Sequence, residues 1–447
     1  MNAQVYSPAL QARVTCPHCW HHFSPEDVLW VSQHPEILGD VRLGAEKPKR
    51  FLPTRFTVEG NALDERGFVC DTLACPNCHL TIPRALLELP PWFLSILGAP
   101  ASGKSNFLAA MTRQLRETLA KQFLIAFNDA DPVMNQKLKE YEKLLFGNHK
   151  QDQLVRIEKT KLEGDLYDTV IFADQHVSFP QPFIFSLAPL PSHPSYATTA
   201  GYARALCLYD NAGEHFLPGQ DVARSPVTRH LARSRVLFFL FDPTQDLRFR
   251  QACGVKSKDP QMGDQTETSW QETVLAEAVD RVRRYGGLAH GAKHSAPLIV
   301  VVTKFDAWSS LLGVCRLDLA SVLRRSAMGG ISAFDVAAVE RMSSKLRSVL
   351  WELSPEIVSA AEDFSRQVVY IPVSALGCAP QPDPASKKLS VRPRDIAPMW
   401  AEVPLLYAIC RWMKGLIPYL KAKPKAAASQ SAVAGAAPLR VWKEGGG

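Results

Sequence analysis

The sequence predicts an α/β fold: a mostly parallel sheet with helices on both faces, preceded by a small metal-held module. Three observations predict it. From residue 91 onward, short apolar runs alternate with amphipathic helical stretches, the pattern of strands buried between two helical layers. A glycine-rich stretch joins the first of these strands to the first helix. Two C-P-x-C pairs, Cys16–Cys19 and Cys75–Cys78, stand ahead of both. With 447 residues, 46% of them hydrophobic, the chain can fill one large core and a smaller satellite.

The elements follow in order. Cys16-Pro17-His18-Cys19 and Cys75-Pro76-Asn77-Cys78 each place two thiolates on a tight turn. Two such turns complete a tetrahedral Zn²⁺ site with no position left for water, so the zinc would be structural. A redox role would favour a single pair on a thioredoxin-like unit, and none is visible. The long insertion between the pairs suggests strands at Thr54 to Glu59 and Gly67 to Cys70. His18, His21, His22, His79 and Cys70 are spare donors suited to surface or packing roles. This zinc-ribbon-like module is expected to span residues 1–90.

The strand Leu94 to Leu97 feeds Gly98-Ala99-Pro100-Ala101-Ser102-Gly103-Lys104-Ser105, a complete phosphate-binding loop, and Asn106 to Met111 starts the helix behind it. Gly98 and Gly103 allow backbone angles and close approach that a side chain would block. The loop amides, Ala101, Ser102 and Asn106 among them, would point at phosphates. Lys104 would reach the β- and γ-phosphates, and the Ser105 hydroxyl would hold Mg²⁺. A helical stretch at Val133 to Leu145 belongs to an elaborated region from Lys121 to Gln181. Phe183 to Leu190 and Ala203 to Tyr209 read as an antiparallel strand pair.

Asp210 ends that second strand, where a carboxylate can hold Mg²⁺ through water, and Gly213 three residues on can offer its amide to a γ-phosphate. Val236 to Phe241 is the next strand, followed by a helix from Trp270 to Tyr285. Leu298 to Val302 is a β-branched run leading into Thr303-Lys304-Phe305-Asp306. The Asp306 carboxylate can accept from N1–H and N2–H₂ of guanine, whereas adenine presents an acceptor at N1. The Lys304 stem would lie along the base. Asp335 to Ser365 reads as amphipathic helix, Val368 to Val373 as a strand delivering Ser374-Ala375 to the guanine O6, and Leu405 to Leu416 as the closing helix.

These four ordered fragments resemble the P-loop GTPase superfamily, the Ras-like and translation-factor-like G domains, over about residues 91–418. The resemblance implies a P-loop NTPase G domain. It assigns phosphate binding to Gly98, Gly103 and Lys104, Mg²⁺ to Ser105 and Asp210, γ-phosphate sensing to Gly213, and guanine to Thr303, Lys304, Asp306, Ser374 and Ala375. The insertions and the zinc-binding extension look like bacterial double-GTPase proteins of conflict systems. Glu214 follows Gly213 where many small GTPases carry a water-orienting glutamine, and His215 comes one place later. A glutamate there can polarise water but also repels the γ-phosphate, so slow hydrolysis is expected. Pro100 and Ala101 replace loop glycines, removing one amide. For the threonine that closes over Mg²⁺, Thr169 is a poor candidate; Arg204, Arg224 and Arg229 are candidates for an arginine finger supplied in cis.

The remaining six of ten cysteines are scattered, which suits reduced thiols in the cytoplasm rather than a disulfide framework. Met1 to Val14 has no apolar core segment, so no signal peptide is expected, and Val236 to Phe241 is too short to span a bilayer. The net charge of +7 is mild and no aromatic-basic stripe appears, so nucleic acid is not indicated. Residues 419–447 are Ala/Lys/Pro/Ser/Gly-rich and read as a disordered tail. The function expected is a GTP-binding and hydrolysing switch, dependent on Mg²⁺, whose zinc module contacts a protein effector or a second GTPase. The rival is a non-enzymatic nucleotide-binding scaffold with a degenerate G domain.

Overall fold

The computed structural model describes residues 9–158, 167–172, 175–210, 230–263, 270–289, 291–326, 330–413 and 415–420. Its centre is a seven-stranded mixed sheet. In chain order the strands are β1 (Pro91–Gly98), β2 (Ile125–Asp129), β3 (Phe183–Pro189), β4 (Arg204–Asp210), β5 (Val236–Phe241), β6 (Leu298–Val302) and β7 (Val368–Pro372). Across the sheet they lie in the order β2-β3-β4-β1-β5-β6-β7. The neighbours from β4 to β7 are all parallel, in registers such as Ile96 opposite both Asp210 and Phe238. The expected antiparallel pair is present, with Phe183 opposite Leu208. The edge strand β2 pairs antiparallel to β3 and had no counterpart in the sequence reading. Leu124, left-handed at φ 52, reverses the chain out of the preceding helix, and only Ile125 and Phe127 of that short strand are buried.

The long helices are α1 (Lys104–Phe123), α2 (Gln136–Phe146), α3 (Gln271–Gly286), α4 (Val336–Leu353), α5 (Pro355–Phe364) and α6 (Val403–Trp412). The single helical stretch read between Asp335 and Ser365 is thus two helices. Pro355 is the reason: it suits the first turn of a helix but cannot continue one.

The central strands β1, β4, β5 and β6 bury both faces. On one, Phe107 of α1 meets Phe238 of β5, with ring centroids 6.3 Å apart. On the other, Leu275, Ala278 and Val282 of α3 pack over Leu97, Leu237 and Leu298. Further along this second face the cover is not one of the long helices. Phe93, Ile184, Ala205, Cys207 and Tyr209 join Cys16, Trp20, Cys75 and Leu86 in a second core. The N-terminal region therefore packs flat against the sheet's β3–β4 side. That region holds a four-stranded sheet, ordered Thr81–Ile82, Leu73–Ala74, Leu29–Val31, Arg50–Phe51. The strand expected at Thr54 to Glu59 reduces to an isolated bridge, Phe56 to Ala62. Near Gly67 to Cys70 only Val69–Cys70 is a strand, paired with Ala62–Leu63.

Candidate functional site

The segments that follow β1, β6 and β7 line a cavity of about 180 Å³ at the carboxyl edge of the sheet. Gly98, at the end of β1, has no room for a side chain: a Cβ there would sit 2.8 Å from the Leu240 carbonyl oxygen. Ala101 adopts φ 60 and Gly103 φ 89, so the loop between them turns through the left-handed region before α1 begins at Lys104. Ala101, Ser102, Gly103 and Asn106 all face the cavity. The Ser102 hydroxyl is buried and has no hydrogen-bond partner among the described residues. Lys104 turns inward, its Nζ donating to the carbonyls of Gly98 and Ala99, each at 2.9 Å.

Asp210, at the end of β4, is 3% exposed, and neither carboxylate oxygen has a well-formed hydrogen bond among the described residues. Burial pushes its carboxyl up to about 6, opposed by the nearby Lys104 ammonium and Ser105 hydroxyl. Ser105, just past the glycine-rich loop, and the strand-end carboxylate thus meet at one corner. Gly213, Glu214 and His215, together with Arg224 and Arg229, lie outside the described residues. Thr169 is exposed on a hairpin (Tyr167–Phe172 with Gln175–Pro180) whose Ile171 amide bonds the Arg42 carbonyl of the N-terminal region, and it is not among the residues lining the cavity. Arg204 starts β4, at the sheet end away from the cavity, where its guanidinium bonds the carbonyls of Gly201 and Ala203.

The opposite wall of the cavity comes from the loops after β6 and β7. Thr303, Lys304, Asp306, Ser374 and Ala375 all line it. Burial pushes the Asp306 carboxyl upward, and the Ser374 hydroxyl, which donates to its Oδ1, draws it back. The Gly377 amide in turn donates to Ser374 Oγ at 2.7 Å. The Lys304 ammonium is not stretched along the cavity: it is bound to Asp242 Oδ2 at 2.6 Å. Thr303 turns its hydroxyl back to the Phe241 carbonyl, at 3.1 Å.

Sequence reasoning missed the third wall. Leu145 of α2, Val155 to Ile157, and Leu389 to Val391 close the cavity from segments remote from every motif. Val155 and Val391 clasp each other through two reciprocal 2.9 Å backbone hydrogen bonds. Asp259 and Gln261 also face the cavity, Gln261 bonding both Asp259 and Lys304. No spacing signal marks these residues, because the chain brings them in through its insertions.

The four cysteines form a second candidate site. Their Sγ atoms lie within 4.8 Å of one another, with Cys16 to Cys78 and Cys19 to Cys75 at 3.7 Å. Four thiolates at the usual Zn–S length of about 2.3 Å stand about 3.8 Å apart in a tetrahedron, so the cluster fits Zn²⁺. Amides of His18 and Asn77 donate to Cys16 and Cys75, each at 3.4 Å, as thiolate ligands require. The residue after each pair, Trp20 (φ 57) and His79 (φ 64), turns left-handed to close the knuckle. Four of the five spare donors are hydrogen-bonded elsewhere: His18 to the Thr81 carbonyl, His22 to the Thr15 hydroxyl, His79 to the Asp40 carboxylate and Cys70 to the Phe68 carbonyl, while the His21 ring stacks on Phe23.

These features define a mixed α/β protein with a glycine-rich loop at the carboxyl edge of its sheet and a four-cysteine cluster fit for a metal ion. No family model matches the chain. Over 246 residues it is 25% identical to the putative ESX-1 scaffolding and assembly protein SaeC of Mycolicibacterium smegmatis. The match takes in 51% of this chain and 57% of that protein, so the chain spans little more than half the length of this relative. Among solved structures, a chain of the signal recognition particle receptor SRb-GTP/SRX complex from Chaetomium thermophilum is similar at 13% identity. That likeness covers 67% of this chain and 94% of the other, with a TM-score of 0.22. Among the described residues, no helix is long and apolar enough to cross a membrane.

Proposed function

We propose that the cavity binds GTP, with the phosphates at residues 98–106 and the base at residues 303–306 and 374–375, and that the chain is a slow, Mg²⁺-dependent GTPase switch of P-loop G-domain type. One observation carries this reading: Ala101, Ser102, Gly103 and Asn106 share a cavity with Lys304, Asp306 and Ser374, though these segments are far apart in the chain. The phosphate half is further supported by the orphaned Ser102 hydroxyl and by the Lys104 ammonium, which rests on loop carbonyls it can exchange for phosphate oxygens. The base half is supported by the Asp306 carboxylate, set in a buried wall where two N–H donors of guanine would satisfy it and adenine would not. Ser105 and Asp210 would hold Mg²⁺, whose charge would neutralise phosphate oxygens. Glu214 is the residue that would make hydrolysis slow.

The cysteine cluster would hold structural zinc, and the module around it, residues 1–90, would contact a protein partner in the cytoplasm, as an effector site or in a conflict system. A second reading, a scaffold that binds nucleotide without consuming it, is favoured by the scaffolding role in SaeC's name. Analysis of the nucleotide and zinc carried by the purified full chain, followed by phosphate release from GTP, separates the two. Steady release that is lost in Lys104→Ala supports the switch. GTP bound but never consumed supports the scaffold. ATP preferred over GTP, with no effect of Asp306→Asn, refutes the assignment of the base.

A further inference from the structure

Between the phosphate loop and the base-side loop lies a carboxylate that touches neither proposed ligand position. Asp242 follows β5 and is fully buried. Its Oδ1 accepts from the Thr244 amide at 2.9 Å and the Thr244 hydroxyl at 2.8 Å. Its Oδ2 accepts from Lys304 Nζ at 2.6 Å and from Gln245 Nε2 at 3.0 Å. Gln271 fixes its backbone in both directions, each bond at 2.8 Å. A buried carboxylate is tolerable only when paired and fully hydrogen-bonded, and this one meets both conditions.

Gln245 reaches further. The same Nε2 also donates to the Pro100 carbonyl in the phosphate loop, at 3.1 Å. Pro100 offers no amide of its own, and Ala101 beside it is held at φ 60. Lys304, on the other side, is held at φ 54. Such left-handed residues persist only where the surroundings over-determine them. Each of these two loops is therefore pinned at its conformationally costly point to a single carboxylate, one through Gln245 and the other through Lys304. Thr303 takes no part in this bridge, since its hydroxyl faces Phe241.

We propose that Asp242 and Gln245 are positioning residues that tie the phosphate loop to the base-reading loop, so that polyphosphate and guanine are gripped as one preorganised unit. The inference rests on the guanine-nucleotide reading above and adds the residues that couple its two halves. Preorganisation raises affinity by removing the cost of ordering each loop on binding.

The test uses the full chain and competition against a fluorescent GDP analogue, with GDP and guanosine as probes. In Gln245→Ala, and in Gln245→Met, which keeps the volume but not the donor, GDP affinity should fall about three- to tenfold, the span of one neutral hydrogen bond. Guanosine affinity should change by less than about twofold, as for independent sites. Asp242→Asn, which leaves Lys304 without its counter-charge, should weaken both probes. Equal losses for GDP and guanosine in the Gln245 variants, or no loss for either, overturn the tether. A wild-type chain that binds neither GDP nor GTP sinks the guanine-nucleotide reading and the tether together, whereas normal binding with an unchanged ratio sinks the tether alone.

Discussion

Replacing Tyr209 by Phe tests how firmly the cysteine module is held to the sheet. Tyr209 points from β4 into the second core, fully buried, and burial keeps its phenol protonated far above the ordinary range. Its hydroxyl donates to the Pro17 carbonyl, inside the first cysteine knuckle, and accepts from Trp20 Nε1 at 3.3 Å. Its ring stacks on His230, with centroids 4.5 Å apart. Phe preserves the stack and removes only the oxygen. Two buried polar groups then lose their partner, each at a cost of about 1–3 kcal/mol if nothing relaxes. Allowing the knuckle to shift, the loss should be about 2–4 kcal/mol, on the order of 5 °C in melting temperature. The assay is thermal unfolding of the two full-length proteins, with zinc release to a chelator followed by absorbance. Zinc should leave Tyr209→Phe faster, although Tyr209 is no ligand. Unchanged melting and unchanged release would refute the idea that the sheet anchors the knuckle.

Asp306→Asn should lower GTP affinity by about 10²–10⁴, since two charge-assisted hydrogen bonds of roughly 1.5–3 kcal/mol each are lost; competition with XTP should show a gain for that base, and retention of GTP binding would contradict the role given to Asp306. Glu402, 4% exposed beside α6, is pushed by burial up to about 7. A carboxyl raised in the fold destabilises while ionised, so stability should increase as pH drops through 7 toward the unfolded value near 4.5; Glu402→Gln should remove that slope and stabilise the chain at pH 8 by on the order of 3 kcal/mol, measured by urea unfolding. Cys75→Ala should cut bound zinc from one atom per chain toward none, measured by mass spectrometry, and should destabilise the N-terminal region before the large sheet.

The sequence alone announced the strands that need least help. Val236–Phe241 and Leu298–Val302 are apolar on both faces, so no arrangement other than a buried strand suits them, and their boundaries were legible to within a residue. The four cysteines were legible too, because metal-ligand spacing is a local property of a turn. Pro355 was equally visible, yet a continuous amphipathic pattern across it hid the helix break.

Tertiary structure decided what covers the sheet and what completes the cavity. Phe93, Cys207 and Tyr209 look like ordinary core residues, and only packing reveals that they face a cysteine module instead of a long helix. Val155, Arg156 and Val391 carry no motif, yet they wall the cavity because a backbone clasp folds two insertions over it. Asp242 is one more acidic residue after a strand until the fold brings Lys304 and Gln245 to it. The physical reason is range: helical and strand periodicity, turns and knuckles are set by neighbours in sequence, while the partners of a buried charge or a sheet face come from wherever the chain returns.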